Sequence, residues 1–246
     1  MASPLPTLSA LAHELHRRTT RHAPAEETCS SGVPSLDQLL PLGGLATAGL
    51  TEWLAESAGG GLTFALLAAS QSLRSRDGSI LVVIDRERHF YSAALPGWGV
   101  PLDRVVLIRP RAAADALWAW EQSLRSSAVA ACLGWMPESI SSVTLRRLQV
   151  AAEQGGGHGF LVRPLSALKE PSWADVRWRV TPTPMPLHGP RPGPLRGRRF
   201  RVELVRCRHQ MSGGVADVEF DPHAANPMRV VPPLAHPARP LRATGS

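Results

Sequence analysis

The sequence predicts an α/β fold: a mostly parallel central sheet covered by helices, extended by antiparallel strands at the C-terminal end. Three observations predict it. Between residues 50 and 162 short apolar runs alternate with stretches of helical periodicity, the pattern of a sheet buried on both faces. After residue 170 apolar residues fall at every second position, as in strands with one wet face. One strand-to-helix junction, Ala55-Glu56-Ser57-Ala58-Gly59-Gly60-Gly61-Leu62, has the length and setting of a phosphate-binding loop.

Residues 8–21 read as an amphipathic helix. Leu8, Leu11, Ala12 and Leu15 follow helical spacing, and Arg17, Arg18 and Arg21 load the end that the helix dipole makes negative. Residues 22–31 read as a polar linker. Strands are predicted at Leu50 to Leu54, Ile80 to Asp85, Arg104 to Ile108, Val129 to Trp135 and Gly159 to Val162. Helices are predicted near 63–74, 87–95, 112–127 and 139–154. Ala174 to Val180, Phe200 to Cys207 and Val215 to Phe220 alternate with period 2 and read as antiparallel strands. The Pro- and Gly-dense segment 181–199 between the first two is read as irregular. So is the Pro-rich, basic tail 222–246. The domain reading is therefore 1–30 as helix and linker, 31–221 as one domain, and 222–246 as tail.

The chain has 246 residues, enough for one large domain. Lys and Arg total 27 against 20 Asp and Glu, a formal charge of +7, which suits an acidic partner such as nucleic acid or equally a solvated basic surface. No apolar run reaches the length of a membrane span, and no secretory leader is read at the N-terminus. Cys29, Cys132 and Cys207 are far apart and form no C-x-x-C pair, and the histidines show no ligand spacing. A reduced, cytoplasmic setting without a metal follows from this reading.

A working phosphate loop reads G-x-x-x-x-G-K-[ST], in which the Lys reaches the β/γ-phosphates and the hydroxyl holds Mg²⁺. Here Ala55 stands at the first Gly, Gly60 matches, Gly61 stands at the Lys and Leu62 at the hydroxyl. The one lysine of the chain, Lys169, is far away in sequence. No nucleotide cofactor is expected. The glycine run retains backbone N–H groups at a helix start, an anion-binding arrangement, but a tight turn is the favoured reading.

Ser31-Gly32-Val33-Pro34-Ser35-Leu36-Asp37, then Gly43-Gly44-Leu45 and Gly49-Leu50-Thr51-Glu52, resemble the stretch leading to the loop of RecA-like recombinases. Asp85-Arg86-Glu87-Arg88-His89 resembles the segment after the next strand, and Tyr91 to Val100 the helix and turn that follow. The order of these pieces over residues 8–220 implies a RecA-like core. A short RecA-like chain with eroded Walker motifs is similar to the ImuA family, accessory proteins of the SOS mutasome, and to the usually shorter cell-division inhibitors of the SulA type.

The ImuA resemblance implies a non-catalytic adapter in damage-induced, error-prone translesion synthesis. It implies ImuB, the alternative polymerase III α-subunit and RecA as partners, and association with the nucleoid on DNA damage. The alternatives are a SulA-like division inhibitor and a direct DNA-binding protein. The resemblance puts the Walker B acid near Gly134, aligns Glu87 with the water-positioning glutamate, and leaves only Pro164 to Pro171 where the second DNA-binding loop would be. No catalytic residue is assigned.

Asp85 and Glu87 are candidate acid/base or metal carboxylates, more simply a helix-start cluster at a strand's carboxyl end. His158, after three glycines, reads as a loop histidine. Leu117, Trp120 and Leu124 form an apolar stripe, which leaves Trp118 at the edge of the core or outside it as a candidate contact anchor. The strongest charge signal is Arg177, Arg179, Arg191, Arg196, Arg198, Arg199, Arg201, Arg206 and Arg208, with Asp175 and Glu203 as the acids nearby. Arg177 and Arg179 are expected on one strand face, opposite Val176, Trp178 and Val180, giving a basic face for a DNA backbone or an acidic partner segment.

Overall fold

The computed structural model describes residues 28–56, 60–137, 139–184, 198–208 and 213–220, and the backbone of 228–230. The expected helix 8–21, Arg191, Arg196 and most of the tail lie outside these residues.

A short ribbon pairs β1 (Thr28–Cys29), inside the stretch read as a linker, with β2 (Leu45–Ala46). The four-residue helix α1 (Pro34–Asp37) lies between them. The main sheet begins with β3 (Leu50–Ala55), followed by α2 (Gly61–Arg74), β4 (Ile80–Ile84), β5 (Val105–Ile108), α3 (Ala113–Arg125), β6 (Val129–Trp135), α4 (Ser142–Gly155) and β7 (His158–Arg163). It is extended by β8 (Val176–Thr183), β9 (Arg198–Cys207), β10 (Val215–Phe220) and β11 (Met228–Val230). Among the described residues the order is β11-β10-β9-β8-β3-β7-β6-β4-β5. From β8 to β5 every pair is parallel, and β8, β9, β10 and β11 pair antiparallel. The parallel core and antiparallel extension are thus one continuous sheet.

Strands buried on both faces are largely apolar, which explains why β3, β6 and β7 read as runs rather than alternations. α2 packs on one face. There Trp53 stacks on Phe64 at 5.6 Å and on Trp178 at 5.9 Å, and Phe200 meets Phe64 edge-on. α3 and α4 cover the other face through Trp120, Leu124, Leu145 and Leu148. Ser141 caps α4 by accepting from the Thr144 N–H at 3.1 Å. Arg104 closes the far end of α2 by donating to the carbonyls of Leu73 and Arg76.

Three expectations change. Residues 87–95 form no α-helix. The buried Asp85 carboxylate accepts the N–H groups of His89 (2.8 Å) and Phe90 (3.1 Å), and Arg88 takes a left-handed φ of 58°. A left-handed residue interrupts a right-handed helix and Pro96 has no N–H to continue one, so only a 3₁₀ segment, Ser92–Trp98, follows. The segment 181–199 is shorter than expected as an irregular stretch. β8 continues to Thr183 opposite Arg199, and Pro182 is tolerated because β3 no longer flanks β8 there. Within the expected tail, Met228–Val230 pairs with Val218–Phe220.

His158 is a core residue. Its Nε2 lies 2.9 Å from the Thr51 hydroxyl, its ring stacks on Phe160, and Nδ1 is buried without a partner. Burial pushes its pKa from 6.5 down to about 3. The folded chain therefore resists a proton that the unfolded chain accepts. Stability is complete above about pH 6.5 and falls by about 1.4 kcal/mol per pH unit below it. Urea midpoints measured from pH 7.5 to 4.5 are expected to decline, and His158→Gln to decline less steeply over that range. An equal slope in the two proteins would refute the assignment.

Candidate functional site

The loop-like junction sits at the carboxyl end of β3 in the middle of the sheet, where open α/β sheets bind ligands. Its described residues are filled by packing. Gly60 starts α2 with φ 82°, and a Cβ there would lie 2.4 Å from Phe200 Cε1. Phe200, brought over by β9, is buried against the amino end of the helix. Behind it Ala55 is buried, a Cβ on Gly61 would lie 3.1 Å from that of Ala55, and Leu62 packs on the core. Gly134, near which the resemblance puts the Walker B acid, has no room for any side chain: a Cβ would meet the Ile84 carbonyl oxygen at 2.3 Å and the Trp120 ring at 3.2 Å. Asp85 is spent on its turn and lies 3.7 Å from Arg109, while exposed Glu87 pairs with Arg86. The two are not a paired acid/base set.

The arginines expected to form one basic face are distributed quite differently. Arg177 is buried. Its Nε lies 2.6 Å from Glu52 Oε2, and its Nη2 donates to the Ala167 carbonyl at 2.6 Å. Arg206 donates to the Ser172 carbonyl, and Arg208 reaches Asp175 and Glu153. On the face of the antiparallel strands that helices leave open, Arg179 pairs with Glu203. Arg199 and Arg201 share Asp217, at 3.7 and 3.3 Å, and Glu219 stands opposite Arg199 in register. Among the side chains described there, three arginines meet three carboxylates, so these charges balance. The physical reason is cross-strand pairing, which sets opposite charges side by side from segments distant in sequence. Arg198 alone of this described set is exposed without an ion-pair partner. Trp118 is 65% exposed on α3, while Trp120 and Leu124 are fully buried, as the stripe requires.

Sequence reading missed the most densely bonded group in the sheet. Glu52 of β3 accepts from Arg177 of β8 and, at 3.0 Å, from Arg163 of β7. Arg163 also bonds Glu170, and Glu52, Arg163 and Arg177 are all buried. The signal that could have found it was a glutamate in the middle of a strand otherwise too apolar to face water.

No family model matches the chain. A protein named ImuA from Caulobacter vibrioides (strain NA1000 / CB15N) is 32% identical over 222 residues, covering 84% of this chain and 89% of that protein. The chain belongs to the ImuA family. Cell division inhibitor SulA from Photorhabdus laumondii subsp. laumondii is 35% identical over 79 residues, 32% of this chain and 44% of that protein. SulA from Edwardsiella piscicida is 39% identical over 70 residues, 28% and 41% of the two chains. The likeness to ImuA therefore runs through most of this chain, whereas that to SulA is confined to part of it.

Two outcomes are expected for this ImuA-family chain. Glu52→Gln leaves two buried guanidiniums short of their carboxylate and is expected to cost about 3–5 kcal/mol. Arg201→Ala, at a half-exposed pair, is expected to cost less than about 1 kcal/mol. Denaturant melts of the two variants test the difference, and a mild Glu52→Gln would show the network to be dispensable. Separately, Gly61→Lys with Leu62→Thr is not expected to create ATP binding, because Phe200 and the Gly134 packing remain. Titration with a fluorescent ATP analogue checks this, and micromolar binding would contradict it.

Proposed function

We propose that this chain is a non-catalytic adapter in SOS-induced, error-prone translesion DNA synthesis. In this reading it links ImuB, the alternative polymerase III α-subunit and RecA. Membership of the ImuA family, over most of the chain, carries the reading. The site geometry supports its non-catalytic half. The Lys, hydroxyl and acid positions of a nucleotide site hold Gly61, Leu62 and Gly134, and Phe200 and Trp120 crowd the space around them. A γ-phosphate switch needs groups that bind one nucleotide state better than another. These positions carry none, so partner contacts in this reading are independent of nucleotide.

The partial similarity to SulA favours a second reading as a division inhibitor, but it spans about a third of the chain. A pull-down of the purified chain against ImuB, RecA and the tubulin-like division protein, each with and without ATP and single-stranded DNA, separates the readings. Retention of ImuB without ATP is the expected result. Retention of the division protein alone would replace the adapter with the inhibitor, and ATP-dependent retention would overturn the nucleotide-independent mechanism. In the same assay Trp118→Ala is expected to weaken ImuB retention about tenfold, the scale of an interface aromatic.

A further inference from the structure

Charge that is neutralised at one end of the sheet is left over at another. The carboxyl ends of the neighbouring strands β4 and β5 carry Arg86, Arg88, Arg109 and Arg111. The acids among them are Asp85, buried and occupied by two backbone N–H groups, and Glu87, paired with Arg86. The next carboxylate along the chain, Asp115, lies in the first turn of α3. Arg88 and Arg111 are exposed and have no ion-pair partner among the described residues. Arg88 is also held at φ 58°, a conformation that a long side chain rarely adopts and that persists here because Asp85 fixes the turn around it.

Aromatic groups stand in the same rim. Tyr91 is 74% exposed, directly after this turn. His89 is exposed with its ring edge-on to Trp135 at the carboxyl end of β6. Asp85 joins the two strand ends physically: its N–H donates to the Ile108 carbonyl at 2.9 Å and its carboxylate faces Arg109 at 3.7 Å. Guanidiniums that attract phosphates, next to exposed rings on which bases can stack, are the chemistry of a single-strand surface. A purely acidic protein segment would use the guanidiniums and have no need of the rings.

We propose that Arg86, Arg88, His89, Tyr91, Arg109 and Arg111 form a binding surface for single-stranded nucleic acid. This goes beyond the adapter reading and stands without it, since it needs no protein partner. It also differs in place from the antiparallel face, whose described arginines are paired. Specificity for base sequence is not part of it, because phosphate attraction and ring stacking are both sequence-tolerant.

The test is fluorescence anisotropy of the full chain with a labelled oligo-dT of about 20 nucleotides, longer than the roughly 4–16 that one such surface covers. Titrations run between about 50 and 200 mM salt. The chain is expected to bind with an affinity that falls as salt rises. Arg88→Ala with Arg111→Ala is expected to weaken binding at least about tenfold. It should flatten the log–log salt slope by roughly 1.4, two contacts at about 0.7 each. Tyr91→Ala is expected to weaken binding about fivefold or more with the slope unchanged, because stacking releases no counterion. Arg201→Ala, on the charge-balanced face, is expected to match the unmodified chain within about twofold. Circular dichroism melts confirm that each variant is folded. The proposal is overturned if the chain fails to bind oligo-dT at the lowest salt, or if the double variant binds like the unmodified chain. It is also overturned if polyglutamate competes as well as unlabelled oligo-dT, which would make the rim a contact for acidic protein.

Discussion

One carboxylate in the middle of the sheet ties the parallel core to its antiparallel extension. Glu52 lies on β3, and its two oxygens are taken by Arg163 from the strand on one side and Arg177 from the strand on the other. All three side chains are out of water, where an ion costs several kcal/mol to place and is retained only with good partners. The remaining donors of Arg177 go to the carbonyls of Ala167 and Glu170, and Arg163 also holds the Glu170 carboxylate. The short connection between β7 and β8 is thereby pinned under the sheet. This reinforces the register of β8 against β3, which the Trp53–Trp178 stack also holds, and β9, β10 and β11 follow β8 in succession. Whether an apolar trio would be as stable is a separate matter. What the charged trio adds is a pairing that tolerates no slip by one residue, because a slip would turn every charge to the opposite face.

The same extension determines what becomes of the loop after β3. Bringing β9 alongside β8 carries Phe200 to the start of α2, where its ring lies on Gly60 and against Phe64. A helix start that carries an apolar ring offers less of its dipole to an anion than one open to solvent. On the opposite face Trp120 takes the space beside Gly134 that an acid would need. The difference from a working phosphate loop is thus more than a matter of single side chains. The packing has closed over the same positions, and reversing one substitution leaves the others in place.

Much of this architecture was legible in the sequence because it rests on local pattern. The apolar runs at 80–85, 104–108 and 129–135 and the helices near 63–74, 112–127 and 139–154 emerge within three residues of their expected bounds. Trp118 and Trp120 part as helical spacing demands. What failed was non-local. Arg177 reads as a surface arginine on an alternating strand until Glu52, 125 residues earlier, is brought beside it. Arg199 and Arg201 read as unopposed until Asp217 arrives on the next strand. The lost helix at 87–95 failed for a subtler reason. Its periodicity was adequate, but Arg88 sits at a left-handed φ of 58° inside a turn closed on Asp85, and Pro96 supplies no N–H to extend a helix.

Arginine content is consequently a poor guide to where this chain meets an anion. Arg76, Arg104, Arg177 and Arg206 donate mainly to backbone carbonyls, closing helix ends and connections. Arg163, Arg179, Arg199 and Arg201 serve carboxylates across strands. A guanidinium with its forked donors already satisfied has little left for a phosphate, and moving it would strand the partner it leaves. The count that bears on binding is therefore of arginines left over after these internal duties. By that count, among the described residues, the carboxyl edge of β4 and β5 outranks the antiparallel face. The edge also has the position at which α/β sheets meet their ligands, and the packing that fills the loop after β3 does not extend to it.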